Sequence, residues 1–183
     1  MNVFVIVTDS MRKDAIGIYG SNVRTPNIDS LGKDGIVFTN AFSEGLPTLP
    51  TRTTWWTGRY TFPVRGWQPF ESSDLLLAEV LWDKGYTSCL VSDTYHMHKP
   101  VYNCGRGFDT VIWVRGQEYD PWIVDDIPVD ITKYHRLKGD STDNLWKPRF
   151  EQYLRNVSWY KSEEDYCVAR VFKEAIRWLE HTT

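Results

Sequence analysis

Three stretches carry side chains whose types and spacing suit catalysis: Asp9, the pentad Thr48-Leu49-Pro50-Thr51-Arg52, and His96-Met97-His98. Asp9 comes just after the apolar run Val3-Phe4-Val5-Ile6-Val7. If that run is a parallel strand, the carboxylate stands at the sheet edge where open α/β folds bind ligands. An oxygen anion there suits a hard divalent cation. The same carboxylate, or the Ser10 hydroxyl, would serve equally to cap a helix.

In the pentad, Pro50 has no backbone N–H and suits the first turn of a helix. Thr48 then stands at the helix N-terminus, where free amides and the positive dipole end face its hydroxyl. The dipole favours an anion there by about 0.3–2 kcal/mol. Arg52 adds a permanently charged, bidentate donor for sulfate or phosphate. A cation beside Thr48 would help turn its hydroxyl into a nucleophile. Spacing alone is equally met by a capped turn with a surface arginine.

His96 and His98 would share one face if the segment is extended, as a metal or oxyanion pair. A lone HxH is more commonly hydrogen-bonded or solvated. Asp125-Asp126 reads as a solvated loop, and Trp55-Trp56 as core. Trp67, Trp113 and Trp122 are candidates for lining a pocket.

These residues need elements to position them. Residues 3–7 read as a strand buried on both faces. Thr25-Pro26 opens a short helix that Gly35 ends. Residues 36–42 read as a second strand, 47–52 as a turn, and 51–57 as the start of a helix. Ser72-Ser73-Asp74 caps a helix with apolar Leu75, Leu76, Leu77, Val80 and Leu81, ended by Gly85. Residues 86–92 and 110–114 read as strands, giving a βαβ pattern. The remainder of 93–160 has no clear periodicity, and so long a stretch suggests a role in shaping a substrate pocket. Ser162-Glu163-Glu164-Asp165 opens a strong helix whose stripe is Val168, Val171, Phe172, Ala175, Ile176 and Leu179. A strand should follow such a helix, so continuation beyond Thr183 is expected.

Composition narrows the classes. The 183 residues carry 21 Lys+Arg and 24 Asp+Glu, a net charge of −3, which excludes a strongly basic nucleic-acid binder. Apolar residues make up 42%, a globular value. No apolar run is long enough to span a bilayer. Cys89, Cys104 and Cys167 are widely spaced, without CxxC, and read as reduced thiols. Residues 1–10 do not make a convincing signal peptide. The Asn156-Val157-Ser158 sequon therefore carries no weight, and a cytoplasmic location is expected.

The order of these motifs resembles the N-terminal part of the sulfatase family, in the alkaline phosphatase superfamily. The resemblance rests on residues 2–14, on Tyr19-Gly20, and on Thr25-Pro26-Asn27-Ile28-Asp29-Ser30-Leu31. It continues through residues 35–41, then residues 48–60 with Thr48-x-Pro50-x-Arg52 and Thr57-Gly58-Arg59, and the Arg106-Gly107-Phe108-Asp109 element. It implies a three-layer αβα sandwich with a mostly parallel sheet, alkaline phosphatase-like and truncated. The whole of 1–183 would be the N-terminal portion of one catalytic domain.

By that resemblance Asp9 is a metal ligand, Thr48 is the nucleophile and a second metal contact, and Arg52 stabilises the nucleophile and oxyanion. His96 corresponds to the histidine that meets the substrate anion. The implied activity is metal-dependent hydrolysis of sulfate esters, with Ca²⁺ favoured over Mn²⁺ or Zn²⁺. The implied partner is a small sulfate or phosphate ester, with no nucleic acid and no membrane, and with homo-oligomerisation left open.

Three departures matter. Ser10 stands where the family often has a second Asp, and Thr94 where a lysine precedes the histidine. Thr48 carries a methyl on the carbon that would become the formylglycine aldehyde, so no formylglycine is expected. Thr instead resembles relatives that are phosphodiesterases, phosphonate monoester hydrolases or phosphoglycerol transferases, working through a phospho-threonine. A non-catalytic binding or assembly module is the alternative of a different class. The isolated 183 residues are expected to be inactive.

Overall fold

A computed structural model describes residues 1–134 and 143–182. They form two compact units, Met1–Ser43 and Glu44–Thr183.

In the first unit, short 3-10 turns at Lys13–Ala15 and Gly17–Tyr19 precede helix α1, Pro26–Asp34. Pro26 occupies the first helical turn, as its fixed φ favours. Thr25 sits at the N-cap but does not cap through its side chain. Its hydroxyl accepts from the Gly17 amide at 2.8 Å and donates to Asp29 at 2.9 Å. Asp29 also accepts from the Ile18 amide at 2.8 Å, which ties the 3-10 turn to α1.

Two expected strands are absent here. Residues 3–7 and 36–42 form no ladder, and Val5, Ile36 and Phe42 are exposed. A doubly buried strand needs hydrogen-bonded neighbours and covering helices, and neither segment has a partner strand among the described residues.

The second unit is α/β. Strands β1, Cys89–Ser92, and β2, Thr110–Trp113, run parallel, with Cys89 opposite Thr110 and Ser92 opposite Trp113. Around them lie α2, Thr48–Thr57; α3, Leu77–Asp83; α4, Asp143–Val157; and α5, Cys167–Thr182. Leu49, Phe70, Leu76, Met97 and Cys104 form the core, with Trp56, Leu90 and Tyr102 packed against it. Trp56 stacks on Phe70 at 5.5 Å, so this tryptophan is core as expected, whereas Trp55, also expected in the core, is exposed.

Several boundaries differ from the sequence reading. Residues 47–52 are not a turn, because α2 already starts at Thr48. The start of α3 is fixed by Glu79, which accepts from the Leu76 amide at 2.9 Å, and not by Asp74. Asp74 is instead buried in a bidentate pair with Arg65, at 2.8 Å and 2.8 Å, and also accepts from the Glu71 amide. Arg106 binds the same corner through the Glu71 carbonyl at 2.9 Å, the Asp74 carbonyl, and Glu79 at 2.9 Å. Helix α4 lies in the stretch that showed no pattern, and Pro148 falls inside it. At α5, Ser162 and Asp165 form a capping box around the 3-10 turn Glu163–Asp165, and the helix proper opens at Cys167.

Candidate active site

Helix α2 holds its threonines in two ways. A β-branched residue in a helix is costly unless its hydroxyl finds a partner. Thr53 donates to the Leu49 carbonyl at 2.9 Å and Thr57 to Thr53 at 2.6 Å, while the Thr54 hydroxyl oxygen lies 3.2 Å from the Pro50 carbonyl and its hydrogen goes to Glu44. Thr51 donates to Pro47 at 2.9 Å and also reaches the Gly45 carbonyl. Thr48 differs: half-buried at the first helical position, its hydroxyl makes no hydrogen bond to any described residue. Its side chain does not close the helix end, since the N-cap is Pro47.

Arg52, one turn on, lies over the Trp55 ring at 4.7 Å. Its charge also reaches the Cys104 thiol. Burial outweighs that influence and pushes the thiol up to about 12. Cys89 is likewise pushed to about 11 by burial, so neither is a ready nucleophile. All three cysteines are free thiols.

Glu44 anchors the approach to α2. It accepts from the Thr54 hydroxyl at 2.6 Å, the Thr61 amide at 2.9 Å and the Phe62 amide at 2.6 Å. These donors, the Thr54 hydroxyl first, hold its carboxyl at about 2. Gly45 is required beside it, because a Cβ there would lie 3.1 Å from the Pro50 carbonyl group.

The two histidines part company. Residues Tyr95–His98 form a 3-10 turn, not an extended segment, so the imidazoles do not pair. His98 Nε2 lies 3.0 Å from the Ser92 carbonyl and its ring stacks on Trp113 at 5.1 Å. Burial lowers its pKa, and it reads as structural. Trp113 thus packs against His98.

His96 is different. Its Nε2 lies 3.2 Å from Glu118 Oε2 and 3.3 Å from the Tyr119 hydroxyl. Trp67 meets its ring edge-on at 4.8 Å. Burial raises the Tyr119 phenol, which stays a neutral hydroxyl. Lys99 and Arg149 lie over the Tyr119 ring at 5.8 Å and 4.7 Å.

Glu118 and Tyr119 were missed from the sequence. They sit on a loop that Asp120 closes: fully buried, it takes Arg115 bidentately at 2.7 Å and 2.8 Å and the Gly116 amide at 2.9 Å. Asn156 from α4 donates to the Asp120 carbonyl at 2.8 Å. The sequon asparagine is therefore a buried structural residue. The available signal was position: the loop leaves the C-terminal end of β2, beside the loop from β1 that bears His96, and parallel sheets bind ligands at that edge. Trp122 packs on Trp159 and against Gly116.

Asp9 belongs to the first unit, exposed, and accepts from the Ser10 hydroxyl at 3.1 Å. One such carboxylate fits one position of a hard-cation site. Among the described residues no group of three or more His, Cys, Asp or Glu side chains is placed to hold a metal ion. Asp125 and Asp126 are exposed, as a solvated loop predicts. No described helix is long and apolar enough to cross a membrane.

Comparison with known proteins gives this geometry a context. The family profile described as Sulfatase matches residues 1–181. Iduronate 2-sulfatase of Mus musculus is 28% identical over 103 residues, 52% of this chain and 18% of that protein. N-acetylgalactosamine-6-sulfatase of Homo sapiens is 30% identical over 128 residues, 59% of this chain and 24% of that protein. An ulvan-active sulfatase of Formosa agariphila is 34% identical over 91 residues, 48% of this chain and 18% of that protein. The chain thus spans at most 24% of the length of these three relatives. No solved structure matches it significantly. Sulfatases have an alkaline phosphatase-like α/β fold, act on sulfuric esters and generally use a divalent metal. With a profile match over nearly its whole length, this chain belongs to the sulfatase family.

Proposed function

We propose that this chain supplies the nucleophile and anion-binding residues of a sulfate ester hydrolase. Thr48 is the nucleophile, Arg52 the guanidinium that stabilises the developing oxyanion, and His96 a contact to the ester. The observation that supports this is the Thr48 hydroxyl. It is the helical threonine of α2 whose oxygen is not bonded back to the i−4 carbonyl or to any other described residue. It stands at the positive end of a ten-residue helix with Arg52 one turn away.

In the reaction, Thr48 Oγ forms a bond to sulfur as the ester S–O bond breaks, and the hydroxyl proton leaves with the departing oxygen. Water then attacks sulfur, releases sulfate and restores Thr48. Because the threonine carbon cannot become an aldehyde, the covalent intermediate is a sulfo-threonine hydrolysed at sulfur. A divalent cation, Ca²⁺ in preference to Mn²⁺ or Zn²⁺, belongs to the same reading and would offset anionic charge. The three free thiols support a reducing, cytoplasmic setting.

The threonine itself favours a second reading, phosphoryl transfer through phospho-threonine by a phosphodiesterase, phosphonate monoester hydrolase or phosphoglycerol transferase. An activity panel on the full-length protein separates them: para-nitrophenyl sulfate, a phosphate monoester, a phosphodiester and a phosphonate monoester. We expect turnover of the sulfate ester, abolished by Thr48→Ala with an unchanged circular dichroism spectrum. Preference for a phosphorus ester selects the second reading. Activity retained in Thr48→Ala removes the nucleophile assignment, and inertness toward every ester favours a non-catalytic binding or assembly module.

A further inference from the structure

Glu118 carries features that neither packing nor solvation explains. Its backbone is left-handed, at φ 51°, which is uncommon for a residue with a Cβ and is often retained where function requires it. The loop is held in that shape by the Asp120 clamp to Arg115 and Gly116 and by Asn156. The result of this fixed shape is a carboxylate 3.2 Å from His96 Nε2.

We propose that Glu118 is a positioning residue for His96: it holds the hydrogen on Nε2 and leaves Nδ1 as the ring atom offered to the ester. The proposal rests on the reading that His96 meets substrate. An ionised carboxylate only accepts, so the nitrogen facing it carries the hydrogen. The Tyr119 hydroxyl lies 3.3 Å from the same nitrogen, slightly farther than the carboxylate. The ring is fixed against rotation by Trp67 at 4.8 Å, Tyr119 at 5.5 Å and Tyr95 at 5.7 Å.

The opposite nitrogen is the informative one. His96 Nδ1 is buried and has no hydrogen-bond partner among the described residues. Buried polar atoms in folded proteins are nearly always paired, and a ligand is the partner this atom lacks. With Nε2 already carrying a hydrogen, any second proton goes to Nδ1. From there it is donated to an anionic oxygen of the ester, and without it Nδ1 accepts from a substrate hydroxyl. His98 provides the contrast, since its Nε2 is committed to the Ser92 carbonyl and its ring to Trp113.

The test uses the full-length protein labelled with ¹⁵N-histidine, with the His96 signals assigned through His96→Gln. Long-range ¹H–¹⁵N correlation reports which ring nitrogen holds the hydrogen. We expect the Nε2–H tautomer in the wild type and in Glu118→Gln, whose amide oxygen still accepts, and its loss in Glu118→Ala. Turnover of para-nitrophenyl sulfate should fall by about 10²-fold in Glu118→Ala, the cost of a misaligned catalytic group. Glu118→Gln should restore most of it. An Nδ1–H tautomer in the wild type, or a tautomer indifferent to Glu118→Ala, overturns the proposal. So does unchanged turnover in Glu118→Ala when His96→Gln is inactive. Full turnover in His96→Gln instead overturns the substrate-contact reading on which the proposal rests.

Discussion

His96 Nε2 and Glu118 Oε2 lie 3.2 Å apart on loops that leave the C-terminal ends of two adjacent parallel strands. β1 ends at Ser92 and β2 at Trp113, directly opposite each other in register. The pair therefore follows from topology: two parallel strands deliver their next loops to one edge, and the Asp120 clamp fixes the second loop in a single shape.

That clamp makes a stability prediction. Asp120→Ala strands the buried Gly116 amide and removes the bidentate partner of Arg115. Urea unfolding should show a loss of about 2–3 kcal/mol, the cost of an unsatisfied buried donor plus a broken charge-assisted pair. A midpoint equal to wild type would mean that the clamp is not formed in solution.

The corner beneath α3 holds a buried ion pair, Arg65 with Asp74. Arg65→Ala leaves Asp74, with a side chain only 2% exposed, without its counter-charge. The expected loss is about 3 kcal/mol. Asp74 is held below the ordinary carboxylate range, by Arg65 first. Its stabilising contribution is complete above that range and fades as pH drops through the folded value. Arg65→Ala should weaken this acid sensitivity, as read from thermal midpoints across a pH series.

Glu44 carries a second acid sensitivity. Its carboxyl ordinarily titrates at 4.5 and is held here at about 2, by the Thr54 hydroxyl first and then the Thr61 and Phe62 amides. The sign follows from linkage: a depressed acid stabilises above its unfolded value, and that contribution drains away as pH falls from 4.5 toward about 2. Glu44→Gln should flatten the stability profile across this window. A variant whose acid-unfolding curve overlays wild type would contradict the assignment.

Two glycines should respond differently to the same change. Gly58 closes α2 at φ 65° with open space around it, and Gly58→Ala should cost about 1 kcal/mol of left-handed strain. Gly107 has φ 87°, and a Cβ there would lie 2.7 Å from the Glu79 backbone nitrogen. Gly107→Ala should cost distinctly more, because backbone at the start of α3 must shift. Equal denaturation midpoints for the two variants would argue against the tight packing of this loop on α3.

Local signals were legible where they were strong and self-contained. Pro26 and Pro50 marked first helical turns, Gly35 and Gly85 marked helix ends, and the apolar runs at Cys89–Ser92 and Thr110–Trp113 became strands. Long-range signals were not. Asp74 looks like a cap in sequence, but a bidentate arginine nine residues away outcompetes an amide for its oxygens. Helix α4 was hidden by Pro148, which normally ends a helix. At the site, Thr48 and Arg52 stood out because they share one helix. The His96–Glu118 contact spans two loops, and no sequence period links such a pair.

One consequence concerns handling. Residues 3–7 present a bare pentapeptide of valine, phenylalanine and isoleucine, rich in sheet-forming types and free of charge and proline. Such a segment is a sticky tag for any sheet margin it meets, including its own counterpart on another molecule. The apparent molar mass from light scattering should therefore rise with protein concentration, and Val5→Lys should act as a gatekeeper and suppress that rise.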